Sequence, residues 1–208
     1  MSLENVKNLV NTGKAKLIAA AVQEALDEGC NATDILGSMI EAMDIVGEKF
    51  KNGEIFVPEM LIAAKAMKKG VEVLKPHLTS GEAGAMGKVV IGTVAGDLHD
   101  IGKNLVAMMI ESAGFEVIDL GVDVPVEKFV AAAAEEGVAI VACSALLTTT
   151  MPALEATVAA LNAMENRAAI KVMIGGAPIT QEFADKVGAD AYTPDAATAA
   201  KKAKELVA

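Results

Sequence analysis

The feature that most constrains this chain is a change of period near Val89. Val89-Val90-Ile91-Gly92-Thr93-Val94 is a short β-rich apolar run, followed by a glycine-punctuated loop and a helical segment carrying Leu105, Val106, Met109 and Ile110 that stops at Gly114. The cycle then repeats. Strands are expected at Glu116–Leu120, Ala139–Ser144, Lys171–Ile174 and Ala189–Tyr192, with helices near Val126–Glu136, Met151–Glu165, Gln181–Val187 and Asp195–Val207. Short apolar strands alternating with helices suit a parallel sheet covered on both faces. Residues 87–208 are therefore expected to form an α/β domain with a doubly wound, five-stranded parallel sheet. Sheets of this kind bind ligands outside the carboxyl ends of their strands, so function is to be sought in the loops that follow the strands.

Residues 1–80 read as helix only. Leu17, Ile18, Ala21, Val22, Ala25 and Leu26 recur at helical spacing before a stop at Gly29. Leu36, Met39, Ile40, Met43, Val46 and Phe50 form a second stripe, with Asn31 or Thr33 as its cap. Pro58 suits the first turn of a third helix bearing Leu61, Ala64, Met67, Val71 and Leu74, which Pro76 ends. With a short segment near Leu3–Val10 these make an N-terminal helical bundle. Residues 76–87, including the small, polar stretch Thr79–Gly84, read as the linker.

Charge and composition exclude several function classes. The net charge is −10 and no basic cluster offsets it, so the chain repels phosphate backbones and no nucleic-acid partner is expected. Trp is absent and Tyr192 is the single tyrosine, which leaves no stacking platform for bases. No apolar run approaches the ~18 residues of a membrane span, and the N-terminus lacks a signal-peptide pattern, so no membrane association and a cytoplasmic location are expected. Cys30 and Cys143 form no metal-binding pair, and Cys143 in a buried strand reads as packing. The two histidines, His77 and His99, cannot build a multi-histidine site, and His77 beside Pro76 reads as a surface or linker residue.

The loop after the first strand, Gly96-Asp97-Leu98-His99-Asp100-Ile101-Gly102, holds the residues with most chemical capacity. A histidine ring binds a transition metal through one nitrogen, while a carboxylate on the other nitrogen fixes the tautomer and tunes basicity. Asp97 and His99, two apart in an extended loop, can both face one pocket. Gly102 allows a close approach or an unusual backbone angle. An ordinary polar loop would carry the same three residues. His99-Asp100 also matches the His-Asp core of a metal-dependent phosphohydrolase, but that site needs further histidines within helices. Neither G-x-G-x-x-G nor a P-loop is present.

Taken together, Asp97-x-His99-x-x-Gly102, Ser144-x-Leu146 and Gly175-Gly176 resemble the three-part signature of the cobalamin-binding domain of methionine synthases and methyltransferase corrinoid proteins. Each part falls at or after the end of an expected strand. The helical first part, including Phe56-Val57-Pro58-Glu59-Met60, resembles the cap that precedes that domain. The likeness spans nearly the whole chain and is strongest to the small stand-alone corrinoid proteins of methanol and methylamine metabolism. It implies a Rossmann/flavodoxin-like cobalamin-binding domain over residues 87–208 behind a helical cap domain over residues 1–80.

The resemblance also implies roles. His99 is the lower ligand of the cobalt in a cobalamin or related corrinoid, and Asp97 bonds its other ring nitrogen. Thr150 continues this relay, with Thr148 and Thr149 as adjacent candidates. Ser144 and Leu146 line the pocket for the cofactor's nucleotide tail. Gly102, Gly175 and Gly176 let backbone approach it, and Tyr192 closes over it. Asp100, inside the motif, belongs to the same cofactor-binding set. Met60 or Phe56 covers the upper face of the corrin.

The implied function is that of a methyl carrier. Co(I) accepts a methyl group from a substrate through a partner methyltransferase, and methyl-Co(III) passes it to an acceptor through a second one. A reductive activase is a further expected partner. The chain has no room for a catalytic barrel, so it reads as a non-catalytic corrinoid subunit. The alternatives are a mutase small subunit, which usually lacks the cap, and a cobalamin-dependent regulator, which typically carries a DNA-binding segment. The cap is expected to move about the Thr79–Gly84 linker when a methyltransferase docks.

Overall fold

The computed structural model describes residues 2–78 and 86–208. The chain divides into two units, one of residues 1–85 with 112–114, the other of residues 86–111 with 115–208. The linker stretch Thr79–Gly84 lies outside the described residues.

The helical unit contains α1 (Ser2–Asn11), α2 (Ile18–Asp27), α3 (Ala32–Lys51) and α4 (Val57–Leu74). The starts of α3 and α4 have local causes. The Asn31 side chain accepts from the Thr33 N–H at 2.9 Å, so of the two expected caps Asn31 acts. Pro58 lies in the first turn of α4, and the Glu59 carboxylate accepts from the Phe56 N–H at 3.1 Å. The apolar stripes converge on a core that includes Ile18, Val22, Ile35, Met39, Met67 and Leu74. Gly70 lets α4 press against the end of Met39, where a Cβ would collide.

The second unit holds the sheet. Its elements are β1 (Lys88–Thr93), α5 (Ile101–Ser112), β2 (Glu116–Asp119), α6 (Val126–Ala133), β3 (Val138–Ser144), α7 (Met151–Asn162), β4 (Lys171–Gly175), α8 (Gln181–Val187), β5 (Ala191–Tyr192) and α9 (Ala196–Val207). The strands pair in parallel in the order β2-β1-β3-β4-β5. This is the doubly wound, flavodoxin-like order, as expected, and it places a topological switch point between β1 and β3. Val89, Val90, Ile140, Val141 and Val172 are fully buried, which is why the strands read as continuous apolar runs. Phe129 of α6 seats against β1 where Gly92 leaves room; a Cβ there would stand 2.8 Å from the ring. Cys143 lies in this core, and burial pushes its thiol up to about 12, so it stays protonated and inert at neutral pH.

The boundaries moved slightly from expectation. Helix α6 ends at Ala133 rather than Glu136, ahead of Gly137 at φ 84°. The last strand is only Ala191–Tyr192: Asp190 donates its N–H to the Val172 carbonyl at 2.8 Å, but the Val172 N–H goes to the Asp190 side chain at 2.7 Å rather than to a backbone carbonyl. Among the described residues, no helix is long and apolar enough to cross a membrane.

Candidate functional site at the β1–β3 switch point

The loops after β1 and β3 leave adjacent strands at the switch point and are joined by one carboxylate. Asp97 is fully buried. Its Oδ1 accepts from the His99 N–H at 3.0 Å and faces the His99 ring Nδ1 at 2.7 Å. Its Oδ2 accepts from the Leu146 N–H at 2.7 Å and from the Thr150 hydroxyl at 2.8 Å. Burial is the largest single influence on this carboxyl and pushes its pKa up. The N–H groups of Leu146 and His99, the His99 ring and the Thr150 hydroxyl together outweigh it and hold the group far below the usual carboxylate range. Asp97 is therefore an anion at neutral pH, and Nδ1 of His99 carries the proton between them.

That assignment decides what the histidine can offer. With Nδ1 donating to Asp97, Nε2 is the nitrogen available to a metal, and the side chain is 51% exposed. Thr150 extends the group. Its hydroxyl accepts from the Leu147 N–H at 3.3 Å, and its single proton has two acceptors in reach, Asp97 Oδ2 and the Leu147 carbonyl at 2.9 Å. Of the three threonines singled out, Thr150 is the buried one that meets Asp97; Thr148 is exposed.

The other expected residues fall around these loops. Ser144 ends β3 and pairs in register with Gly175 of β4. Gly176, at φ 133°, cannot carry a side chain, because a Cβ would overlap the Ala145 carbonyl, so β4 turns directly against the β3 loop. A Cβ on Gly175 would stand 3.2 Å from the Thr193 carbonyl oxygen. Tyr192 lies beside Ile174, half-buried. Gly102 has ordinary backbone angles and faces open space, with nothing within 4 Å of an added Cβ. Leu146 contributes its backbone N–H to Asp97, and its side chain is 40% exposed. Asp100 does not join the Asp97 group; its carboxylate accepts from the Asn104 side chain at 3.1 Å at the start of α5. Met60 belongs to the helical unit and is buried within it, whereas Phe56 is 68% exposed.

Sequence reasoning missed three supports of the loop. Buried Thr93 donates to the His99 carbonyl at 2.9 Å. Lys103, buried in the first turn of α5, places its ammonium between Asp119 at the end of β2 and the Asn104 side chain. Asp123, two residues before Pro125, accepts from the Gly96 N–H at 2.7 Å.

The arrangement fits a metal that arrives inside a large apolar ligand. The donor set presents one imidazole nitrogen backed by a buried anion. Around it Leu98, Ile101, Leu146 and Leu147 are 71%, 79%, 40% and 41% exposed, an unusual group of outward apolar side chains on loops that flank a histidine. Among the described residues no three His, Cys, Asp or Glu side chains converge as a protein-only metal cage requires.

Comparison with known proteins agrees with this chemistry. Residues 87–202 match a family model described as a B12 binding domain, and residues 2–75 match a second model with the same description. The chain is 44% identical over 207 residues to dimethylamine corrinoid protein 1 of Methanosarcina acetivorans, covering 99% of this chain and 97% of that one. A cobalamin-binding protein from Desulfitobacterium hafniense superposes with a TM-score of 0.83 at 34% identity, covering 99% of this chain and 98% of that one. The methanol:cobalamin methyltransferase complex of Methanosarcina barkeri gives a TM-score of 0.85 at 29% identity, covering 99% of this chain and 79% of that one. A buried carboxylate behind a half-exposed histidine at the switch point, read with these matches, makes this chain a member of the B12-binding-domain family of corrinoid proteins found in methyltransferase systems.

Proposed function

We propose that the protein is a corrinoid-binding methyl carrier in which His99 Nε2 ligates cobalt from below. The observation that carries this reading is the Asp97–His99 pair at the β1–β3 switch point, with the ring's Nδ1 held at 2.7 Å and its other nitrogen on a half-exposed ring. When bound, the corrinoid supplies a cobalt that takes up a methyl group and gives it up. The chain's own part is to hold and orient. Asp97 fixes the tautomer and the orientation of the His99 ring. Thr150 keeps the carboxylate hydrogen-bonded on its far side. Leu98, Ile101, Leu146 and Leu147 offer apolar surface to the macrocycle, and Gly102 leaves clearance beside it. Ser144, Gly175, Gly176 and Tyr192, at the ends of β3, β4 and β5, are assigned to the nucleotide tail. In the helical unit, exposed Phe56 is better suited to meet a ligand than buried Met60.

Methyl transfer in and out is assigned to two partner methyltransferases, with a reductive activase as a further partner. The 44% identity to a dimethylamine corrinoid protein makes a methylated amine the first donor to test.

The test of the ligand is His99→Gly, reconstituted with cobalamin and followed by visible absorption. This variant keeps the backbone N–H at position 99, so Asp97 retains three of its four donors and the protein stays folded. Loss of the protein-ligated spectrum, with exogenous imidazole restoring it, is expected. A spectrum identical to wild type overturns the assignment.

A further inference from the structure

Asp123 touches neither the Asp97 carboxylate nor the His99 ring, yet it bonds twice to the loop that carries both. Its Oδ1 accepts from the Gly96 N–H at 2.7 Å, and its own N–H donates to the Asp97 carbonyl at 2.9 Å. These two bonds bracket the peptide that joins Gly96 to Asp97. The backbone at Asp123 is left-handed, with φ 51°, the one positive φ at a non-glycine among the described residues. That conformation costs an L-residue energy, and aspartate tolerates it better than most. The residue immediately before α6 is Pro125, so helix capping does not account for the Asp123 carboxylate.

We infer that Asp123 is a positioning residue: from the β2 side it clamps the Gly96–Asp97 peptide and so sets the direction in which Asp97 presents its carboxylate to His99. The β3 loop grips Asp97 through its side chain, by way of Leu146 and Thr150. The β2 loop grips the same residue through its main chain, by way of Asp123. A loop on the interior strand β1 is thus fixed from both neighbouring strands, and the carboxylate is aimed before any ligand arrives.

Two substitutions separate the clamp from other roles. Asp123→Asn keeps an acceptor oxygen and accepts the left-handed backbone but removes the charge. Asp123→Gly removes the acceptor while relaxing the strained backbone, so the fold is retained. In the protein without cofactor, the Gly96 amide of the Gly variant should exchange its hydrogen about tenfold faster, the size of one lost hydrogen bond. In the Asn variant the rate should stay within about twofold of wild type.

With cobalamin added and reduced to Co(II), electron paramagnetic resonance reports axial nitrogen, and 15N-labelled histidine assigns it to the protein. The Gly variant should show a clearly reduced signature and the Asn variant should keep it. This second readout alone rests on the His99 reading. If wild type itself shows no histidine nitrogen, that reading fails while the Gly96 amide still tests the clamp. An Asn variant that behaves like the Gly variant assigns the effect to charge and overturns the inference. So does a Gly variant equal to wild type, and so does a faster Gly96 amide with the nitrogen signature unchanged.

Discussion

Asp97→Asn is the sharpest perturbation of this site, because the carboxamide has nearly the same shape and cannot have the same bonds. Each oxygen of Asp97 receives one backbone N–H: His99 on Oδ1 and Leu146 on Oδ2. A carboxamide has one oxygen and one NH2 group, so in either orientation one of these N–H groups must face another donor. The Thr150 hydroxyl can turn its proton to the Leu147 carbonyl at 2.9 Å, and the His99 ring can change tautomer, but a backbone N–H can do neither. A buried donor left unsatisfied costs about 1–3 kcal/mol, and charge-assisted bonds weaken elsewhere in the group, so a loss of about 3 kcal/mol is expected. Tyr192, the single tyrosine in a chain without Trp, lies in β5 and reports the sheet unit by its fluorescence during urea unfolding.

The pH dependence supplies a second signature. The folded pKa of Asp97 is lowered, so its contribution is fully present above the unfolded value of about 4 and is lost as pH falls below it toward the folded value. The variant has no such titration, so its deficit relative to wild type should narrow between pH 5 and about pH 3. Equal stability at pH 7, or a deficit that does not change with acid, would refute the claim that the ionised carboxylate organises these loops.

Two further outcomes follow from the same geometry. Thr150→Val, which keeps the shape but removes the hydroxyl, should cost about 1–2 kcal/mol in urea unfolding, and Thr150→Ser should recover most of it; a neutral Val variant would show that the hydroxyl does not support Asp97. Gly176→Ala should cost more than about 4 kcal/mol or leave the sheet unit unfolded by circular dichroism, since a Cβ overlaps the Ala145 carbonyl at a φ of 133°; a melting temperature like that of wild type would refute the close approach of the two loops.

How much of this was legible in the sequence depended on where each residue's partner lay. The five strands were readable because both faces of the sheet are covered, which leaves continuous apolar runs such as Val89–Val94 and Ala139–Ser144. The last strand was read too long because the Asp190 side chain takes over a ladder bond, and a side chain that replaces backbone pairing leaves no trace in hydrophobic pattern. Asp97, His99 and Thr150 were found through their resemblance to a known motif, and the structure brings them together. Leu146 was singled out for its side chain, whereas what reaches Asp97 is its backbone N–H, which any residue would carry. Thr93 looked like an ordinary β-branched strand residue, and its hydroxyl bond to the His99 carbonyl exists only because the loop folds back on the strand. The left-handed backbone of Asp123 and its bond to Gly96 are features that local patterning does not show.

The distribution of donors around Asp97 decides how much of the site depends on the His99 ring. A buried carboxylate deprived of its partners would cost several kcal/mol, enough to disorder a loop. Here the His99 ring is one of four donors, and the other three are two backbone N–H groups and a threonine hydroxyl that do not depend on where the ring points. The ring can therefore give up its bond to Asp97 while the carboxylate keeps three donors and the β1 and β3 loops remain joined. Had the anion depended on His99 alone, each change at the ring would have been coupled to a change in loop structure. With three donors independent of it, the imidazole is the movable member of an otherwise fixed group.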